Sequence, residues 1–296
     1  MKLTVNGVDV APVLGTLALE KRRSDSSATL TATLWTAAAD TYFLRLSLAV
    51  GDVVRLTDDG GEERFLGSVH ALERTPERVR LTAFDRGVFL SRNEVHGVFT
   101  GTGGDICRAV ASQLGIPCGT LEADGAYHCI PALKGINAFT LLQRAAGEGR
   151  EVTVEGEALT VRKRRGNCYA LLTQQVREVS ATADIRKLID HVTVVDYKGR
   201  TVATARNAEQ QTAYGVFRAV LGKSGSDPQA QAKGALRGRV RSAEVVVDGN
   251  LGYRCCDCVE GRQPQWGLEG LYDIAAVSHR WDRGQFTTEL TLEGRE

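Results

Sequence analysis

The sequence predicts an α+β protein that is mostly β, with two β-barrel domains on either side of a small α/β insertion. Residues 27–36 alternate between apolar side chains and threonine, which is the two-residue period of a half-buried strand. Residues 106, 110 and 114 are apolar at a helical spacing. Two distant segments, beginning at residues 51 and 256, also share one order of strands and turns. Together these patterns predict a duplicated β protein with a helical insertion.

Short strands bounded by turn residues predict the first β-barrel over residues 1–98. Residues 51–56 alternate in polarity, and the turn sequence DDGG follows directly at 58–61. Residues 65–72 and 79–84 form another strand pair around a Thr-Pro-Glu turn. Several short strands at this spacing are typical of a sandwich or a barrel.

The pattern changes at the predicted insertion, residues 99–166. A helix over 106–114 ends at Gly115, and a second helix over 137–146 opens on an asparagine cap and ends before a glycine. A short hairpin follows over residues 152–161, with a Glu-Gly-Glu turn at its centre. The sequence therefore predicts a small α/β module of two helices and a hairpin.

Residues 167–296 predict the second barrel, with a helical insertion around residues 206–238. Ser226 is the expected N-cap of the second inserted helix, because Pro228 then occupies the first turn. The expected strands are 176–180, 187–197, 201–205, 243–247, 271–279 and 286–292, and the expected helices are 208–214 and 227–236.

An internal repeat connects the two predicted barrels. Each copy runs strand, loop, strand, turn, strand, with strands expected at 51–54, 65–69 and 79–82, and at 256–259, 271–274 and 286–292. Two unrelated β segments can also share such an order by chance. If the repeat is real, the chain carries two related barrels, and such duplication lets an odd-numbered ring imitate an even-numbered one.

Composition excludes several classes of function. The 296 residues carry 37 Lys and Arg against 36 Asp and Glu, which argues against tight binding to a phosphate backbone. The most apolar stretch, residues 42–50, contains Arg45 and is far shorter than the ~20 residues that span a bilayer. Seven cysteines without a secretory signal predict folding in a reducing cytoplasm. No membrane insertion and no specific nucleic-acid binding are expected.

Three stretches resemble the baseplate hub proteins of contractile phage tails and phage-tail-like particles, the family of late control protein D. Residues 83–90 (AFDRGVFL) are similar to the motif that closes the first barrel of that family. Residues 194–199 (VVDYKG), followed by Gly222 and Asp227-Pro228, are similar to its central segment. Residues 270–292, with GLYDI and GQFTTELTL, resemble its C-terminal hairpin. One departure is Cys256-Asp257, where the family usually has Gly-Asp.

The resemblance implies two tail-tube-like barrels and a homotrimer whose six barrel domains form a pseudo-sixfold ring. Such a ring adapts a six-fold tail tube to a three-fold central spike. The implied partners are the tail tube protein, the spike, other baseplate proteins and the end of the tape-measure protein. The implied location is the baseplate of a virion or tail-like particle that is assembled in the bacterial cytoplasm. Infectious phage, bacteriocin and secretion device all stay open.

The cysteines raise the question of a metal site. Cys255 and Cys258 have the C-x₂-C spacing that zinc sites use, but two further ligands are needed. The candidates are Cys118, the pair His128-Cys129 and His279, and none lies at a recurring zinc spacing. Because Cys256 and Cys258 fall on expected strand positions, ordinary buried thiols are favoured. No metal and no cofactor are therefore expected.

Other constellations favour structural roles. His128 and Cys129 are adjacent on an expected strand and so point to opposite faces, which disfavours a thiol hydrolase. The acidic pairs at 58–59 and 62–63 lie in turn-like sequence. The basic run at 162–165 has no interleaved aromatics, which favours a solvated turn or an acidic neighbour over nucleic acid. Thr102 before two glycines is expected to cap a helix.

The predicted function is a structural hub without catalytic residues. The alternative from another class is a tail-associated cell-wall hydrolase, and a stand-alone metal-binding module is a weaker one. His279 and Trp281 flank the last hairpin turn, where either an anchor for a partner or core packing is possible. No individual binding residue is predicted.

Overall fold

The computed structural model describes residues 1–37, 47–164, 166–224 and 227–294. Most of the apolar stretch around Arg45 therefore lies outside the described residues, as do Arg165 of the basic run and the expected cap Ser226. The fold class predicted from the sequence, α+β and mostly β, is confirmed. No described helix is long and apolar enough to span a membrane.

Strands dominate the described part of the chain. Their bounds are β1 Lys2–Val5, β2 Val8–Asp9, β3 Leu14–Arg22, β4 Thr29–Trp35, β5 Val53–Thr57, β6 Glu63–Arg74, β7 Arg78–Asp85, β8 Glu94–Thr102, β9 Cys118–Leu121, β10 Tyr127–Asn137, β11 Arg150–Glu155, β12 Ala158–Lys163, β13 Cys168–Ala170, β14 Val176–Asp184, β15 His191–Val195, β16 Thr201–Arg206, β17 Arg218–Gly222, β18 Val240–Asp248, β19 Cys258–Gln263, β20 Leu268–Asp282 and β21 Gln285–Gly294. The helices are α1 Val88–Arg92, α2 Gly103–Gln113, α3 Ala138–Ala146, α4 Ala208–Tyr214 and α5 Pro228–Gly234.

The capping residues explain where the helices begin. Thr102 forms a capping box at α2, because its side chain accepts from the Asp105 amide while the Asp105 carboxylate accepts from the Thr102 amide. Asn137 caps α3 as predicted. The prediction of Ser226 as the cap of α5 is wrong: Asp227 accepts from the amides of Gln229 and Ala230. A carboxylate one residue nearer to the proline reaches those amides directly.

Thirteen strands form one sheet in the order β14-β18-β21-β20-β3-β4-β7-β6-β5-β1-β2, with β19 pairing on β20 and β13 pairing on β19. The two predicted barrels are therefore parts of one sheet. They join where the second half of β20 pairs antiparallel with β3, from Ala276 opposite Arg22 to Asp282 opposite Thr16.

The internal repeat is present in the sheet. The series β3-β4-β7-β6-β5 has the same pattern as the series β14-β18-β21-β20-β19. Backbone hydrogen bonds recur at matching places: the Val69 amide donates to the Asp52 carbonyl at 2.8 Å, and the Ile274 amide donates to the Asp257 carbonyl at 3.0 Å. The strand order that the sequence predicted for both copies is confirmed.

The chain divides into two compact units. The first consists of Met1–Ser180 and Glu244–Leu292, and the second consists of Ala181–Ala243 and Glu293–Glu296. This division differs from the three domains expected from the sequence, whose boundaries at 98 and 166 stay a prediction.

Apolar clusters lie in the main sheet and in the inserted module of the first unit. The cluster in the main sheet includes Leu30, Leu34, Leu56 and Leu81, all fully buried. In the inserted module, α2 and α3 pack with the β11–β12 hairpin around residues such as Leu142. Strand β8, which was not predicted, pairs antiparallel beside these helices with β10, which contains the strand expected at His128 and Cys129. The predicted helices and hairpin of this module are confirmed.

The second unit is a three-stranded sheet in the order β16-β15-β17, with β15 and β17 parallel. Helix α5 covers one face, where Ala232 is buried against Val192 and Val194. The helix α4 agrees with the prediction in both bounds, whereas β17 was missed. Its exposed Val220 explains the omission, because a strand that is not buried carries little periodic signal.

A buried polar pocket and the unpaired sheet edges

The first unit contains a pocket of about 160 Å³ that is lined by charged groups and thiols. Strands β3 and β11 and the segment before β19 form much of its wall. Its polar lining consists mainly of Lys21, Arg23, Asp85, Glu151, Cys255 and Cys256. Because this pocket brings buried acidic, basic and thiol side chains together, it is the first place to look for chemistry.

Glu151, on β11, is the central acid of the pocket and is only 7% exposed. Its Oε2 accepts a hydrogen bond from the Cys256 thiol. Its Oε1 lies 3.7 Å from Arg23 Nε and 4.0 Å from Arg164 Nε. Burial raises the pKa of Glu151 in spite of these two guanidinium groups. The carboxyl group therefore has two cationic neighbours and one thiol donor, which is a structural ion-pair arrangement.

The thiols beside Glu151 are poor nucleophiles. Burial raises the pKa of Cys255 to about 12, and burial together with the Glu151 charge raises the pKa of Cys256 further. The Cys255 thiol donates to the Lys21 carbonyl at 3.4 Å. Because the thiolate is the reactive form, these side chains behave as buried polar packing groups. The expectation of a buried thiol is confirmed for Cys256, but the residue lies in a turn with a φ of 77° before β19 and not on the expected strand.

The expectation that Cys258 is an ordinary buried thiol is wrong. It is not a free thiol, because it forms a disulfide with Cys168. The parallel pairing of β13 with β19 places these two residues directly opposite each other, with Cα atoms 4.5 Å apart. They are 90 residues apart in sequence, so no local pattern could pair them. The bond also removes Cys258 from any C-x₂-C thiolate pair.

The other candidate catalytic and metal-binding residues either lie apart from one another or have structural roles. His128 Nε2 lies 2.7 Å from Asp124 Oδ1, while Cys129 is exposed. The structure therefore brings His128 to a carboxylate and not to its neighbouring thiol. No group of three or more potential metal-ligating side chains occurs in the ranges that the structure describes. Asp58 accepts from Arg64 Nε at 2.8 Å and from the Glu62 amide at 2.9 Å, which stabilises a turn.

The described residues of the basic run at 162–165 contact acidic side chains, which was one of the two explanations that the sequence favoured. Arg162 Nη2 lies 2.5 Å from Glu155 Oε2 across the β11–β12 hairpin, and Arg164 faces Glu151. At the last hairpin, His279 is buried and its Nδ1 lies 3.0 Å from Thr288 Oγ1, and Trp281 packs against the sheet core. Core packing, rather than an anchor for a partner, is therefore correct for His279.

Unpaired strand edges are the second feature with functional potential. In the described residues, β14 and β2 end the main sheet, and β6 has no partner beyond Val69 on the side that faces β5. An edge of this kind presents backbone donors and acceptors in a row. Neither these edges nor Glu151 could be predicted from the sequence, since both arise from long-range pairing.

A family model described as YQBQ-like matches residues 17–293, which is most of the chain. The chain belongs to the YQBQ-like family. The family model does not by itself establish the late control protein D family that the motifs resemble, so that finer assignment stays a proposal. No protein with a curated functional description matches the sequence of this YQBQ-like chain.

Solved structures similar to this YQBQ-like chain come from phage tails and related devices. The 43 kDa tail protein of prophage MuSo2 from Shewanella oneidensis matches with a TM-score of 0.76 and 14% identity, over 98% of this chain and 96% of that one. A tail protein from Neisseria meningitidis MC58 matches with a TM-score of 0.68 and 13% identity, over 99% and 95%. At these identities the similarity establishes a common fold.

A third structure belongs to another class of device. The E. coli c3393 protein is described as a component of the type VI secretion system that is structurally similar to T4 bacteriophage tail proteins gp27 and gp5. It matches with a TM-score of 0.60 and 9% identity, over 100% of this chain and 77% of that one. The YQBQ-like chain therefore has the fold of phage-tail and secretion-system proteins.

Proposed function

We propose that this YQBQ-like chain is the structural baseplate hub of a contractile phage tail or tail-like injection particle. Three copies form a pseudo-sixfold ring that adapts the six-fold tail tube to a three-fold central spike. The location is the baseplate at the end of the tail tube, in a particle that is assembled in the bacterial cytoplasm. The tube protein, the spike, other baseplate proteins and the tape-measure protein are the partners.

The duplicated strand order carries this proposal. One chain holds the series β3-β4-β7-β6-β5 and its repeat β14-β18-β21-β20-β19. A cyclic trimer of such a chain presents six nearly equivalent sheet segments around one axis. A ring of six segments matches a six-fold tube on one side, while the three-fold identity of the chains matches a spike on the other.

The similar solved structures support the same assignment. Two are tail proteins, and the third is described as structurally similar to T4 bacteriophage tail proteins gp27 and gp5. The fold common to all of them makes an adaptor in a tail or a secretion device the natural function. Membership in the late control protein D family is part of this proposal and rests on the sequence motifs.

The hub needs no catalytic group, since its chemistry is complementarity between surfaces. The polar pocket is consistent with this role, because its acid is paired and its thiols have raised pKa values. We therefore propose no enzymatic activity and no cofactor. A cell-wall hydrolase would need two carboxyl groups held about 5–9.5 Å apart in an open cleft, and no observation favours one.

The copy number of the chain in a purified particle tests the proposal. Tail particles from the cell that carries the gene are purified, and the chain is quantified against the tube subunit by mass spectrometry. The expected result is about three copies in each particle, as a cyclic trimer requires. Six copies, or absence of the chain from complete particles, would contradict the hub. Native mass of the isolated protein over a concentration series gives an independent measure of the trimer.

A further inference from the structure

We propose that neighbouring copies join by antiparallel pairing of the outer half of β6 in one copy with the outer edge of β14 in the next. The inference rests on the proposed trimer and names the surface that closes it. Its basis is a junction that the chain forms once internally and that the described residues leave unmade at each of the two matching edges.

The internal junction uses both halves of β20. The first half of β20, residues 268–273, pairs with β19. The second half, residues 276–282, pairs with β3 on the same side of the strand. An additional hydrogen bond runs from the Arg23 amide to the Ala275 carbonyl at 2.8 Å. Across this seam, Ser278 Oγ and Arg280 Nη2 both reach Glu20 Oε1, at 3.5 and 3.7 Å. One long strand thus joins the two copies of the repeat.

Strand β6 is the counterpart of β20 in the first copy. Its first half pairs with β5 from Glu63 to Ser68, as the first half of β20 pairs with β19. On its other side, β6 pairs with β7 from Gly67 to Arg74. No described strand pairs with residues 70–74 on the side where β20 receives β3. The side chains of Ala71 and Glu73 are exposed, and Arg74 Nη2 donates to the Leu48 carbonyl in the segment before β5.

Strand β14 is the counterpart of β3 in the second copy. Strand β3 has a partner on each side, β4 and β20. Strand β14 pairs with β18 and has no further partner in the described part of the sheet. The two unpaired edges are therefore the two components of one junction: β6 lacks a β3-like partner, and β14 lacks a β20-like partner.

These two edges lie on different strands, so the contact between copies is heterologous. A heterologous contact that repeats around an axis closes a ring and leaves no free edge at either strand. The β6–β14 contact between copies then alternates with the β20–β3 contact within each copy. A closed sheet of this kind needs one strand of each type from every copy, which matches the duplicated chain.

Engineered disulfide cross-linking tests the pairing in the full-length protein. The exposed free cysteines Cys118 and Cys129 are first replaced by serine. Glu73→Cys is then combined with Ser180→Cys, both at exposed strand positions. Glu178→Cys and Thr182→Cys, which share the exposed face with Ser180, cover a shift of register. After oxidation we expect covalent dimers and trimers without reductant, and a single-chain band with reductant.

The matched control joins the two ends of the sheet. Val8→Cys on β2 combined with Ser180→Cys tests whether the sheets extend end to end through β2 and β14. We expect no covalent oligomer from this pair. Melting curves of the reduced variants, compared with the parent, verify that the exposed substitutions leave the fold intact.

The outcomes separate this inference from the proposed function. A trimer by native mass in which Glu73→Cys forms no disulfide with any of the three β14 cysteines overturns the edge assignment. The same holds if only the Val8→Cys and Ser180→Cys pair forms a disulfide. Neither result contradicts the proposed hub. A monomer at every concentration with no link overturns the edge pairing and the isolated trimer together. Links from Glu73→Cys to a β14 position, within a species of three chains, support the inference.

Discussion

At the scale of single residues, the first unit buries several ionisable side chains, and burial shifts their pKa values in the direction that favours the neutral form. Burial raises the pKa of Asp85 although its carboxylate accepts from the amides of Ala28 and Gly87 at 2.8 and 2.7 Å. Burial also lowers the pKa of His279 to about 4. These groups tie the stability of the unit to pH, because their protonation differs between the folded and unfolded chains.

His279 should make the folded protein less stable as the medium becomes acidic. The unfolded histidine takes up a proton below pH 6.5, whereas the folded one does so only near pH 4. Stability is therefore lost as pH falls from 6.5 to about 4, by on the order of 3 kcal/mol. His279→Phe should flatten this part of the pH profile, measured by urea unfolding at pH 7.5 and 4.5. His96→Phe, at an exposed position, is the control and should keep the parental profile.

The Cys168–Cys258 disulfide should stabilise the protein only under oxidising conditions. Cross-linking residues 90 positions apart reduces the freedom of the unfolded chain, typically by about 2–5 kcal/mol of stability. Cys168→Ser should lower the urea midpoint in oxidising buffer, and the difference from the parent should shrink when reductant is present. Cys118→Ser, which removes an exposed free thiol, should leave the midpoint unchanged. A parental midpoint that does not depend on reductant would contradict the expectation.

At the scale of elements, the neighbouring strands β6 and β7 approach each other closely at a glycine. Gly67 on β6 lies against the backbone of Phe84 on β7, and a methyl group at Gly67 would overlap the Phe84 carbonyl oxygen. Backbone cannot move aside as a flexible side chain can. The residue is thus required by the packing of two neighbouring strands rather than by a turn conformation.

Gly67→Ala should therefore destabilise the β6–β7 pair. The expected loss is about 1–3 kcal/mol, the usual effect of excess volume in a packed site. Gly125→Ala is the matched control, since no heavy atom lies within 4 Å of the added methyl group. Equal unfolding free energies for the two variants would show that β6 can shift away from β7.

The helix α2 offers a second test at this scale. Thr102→Ala removes the capping box with Asp105 and leaves an amide of the first turn without its side-chain acceptor. The expected loss is about 1 kcal/mol in thermal or chemical unfolding. Thr140→Ala, which lies inside α3 and acts through its amide at the Asn137 cap, should cost less. A larger effect at Thr140 would mean that side-chain packing outweighs capping here.

At the scale of the whole molecule, the main sheet runs through both copies of the repeat within one chain. Its internal seam is complete, and its matching edges at β6 and β14 are unpaired among the described residues. A protein with complementary unpaired edges gains stability when copies associate. Folding stability and assembly are therefore expected to be linked.

Thermal unfolding should depend on protein concentration if the proposed trimer forms. For a trimer that dissociates on unfolding, each tenfold rise in concentration stabilises a protomer by about 0.9 kcal/mol. The melting temperature is measured by calorimetry across a hundredfold range of concentration and is expected to rise. Glu73→Pro, placed at the proposed seam, should weaken the dependence, whereas a flat parental response would argue against a trimer in isolation.

The sequence alone predicted the fold class, most strands, and helices whose caps and periodicity are local. The helix α4 and the β11–β12 hairpin follow from such signals, as does the strand order of the internal repeat. These features depend on neighbours within a few turns of the chain, so the sequence contains their cause directly.

The tertiary structure alone decided which distant residues meet. It paired Cys168 with Cys258, brought Glu151 to Arg23 and Cys256, and joined both copies through β20 and β3. A strand pattern states which face of a strand is buried but not which strand lies beside it. Partner choice depends on the summed packing of the entire sheet, and that is why the seam, the disulfide and the polar pocket had no signal in the sequence.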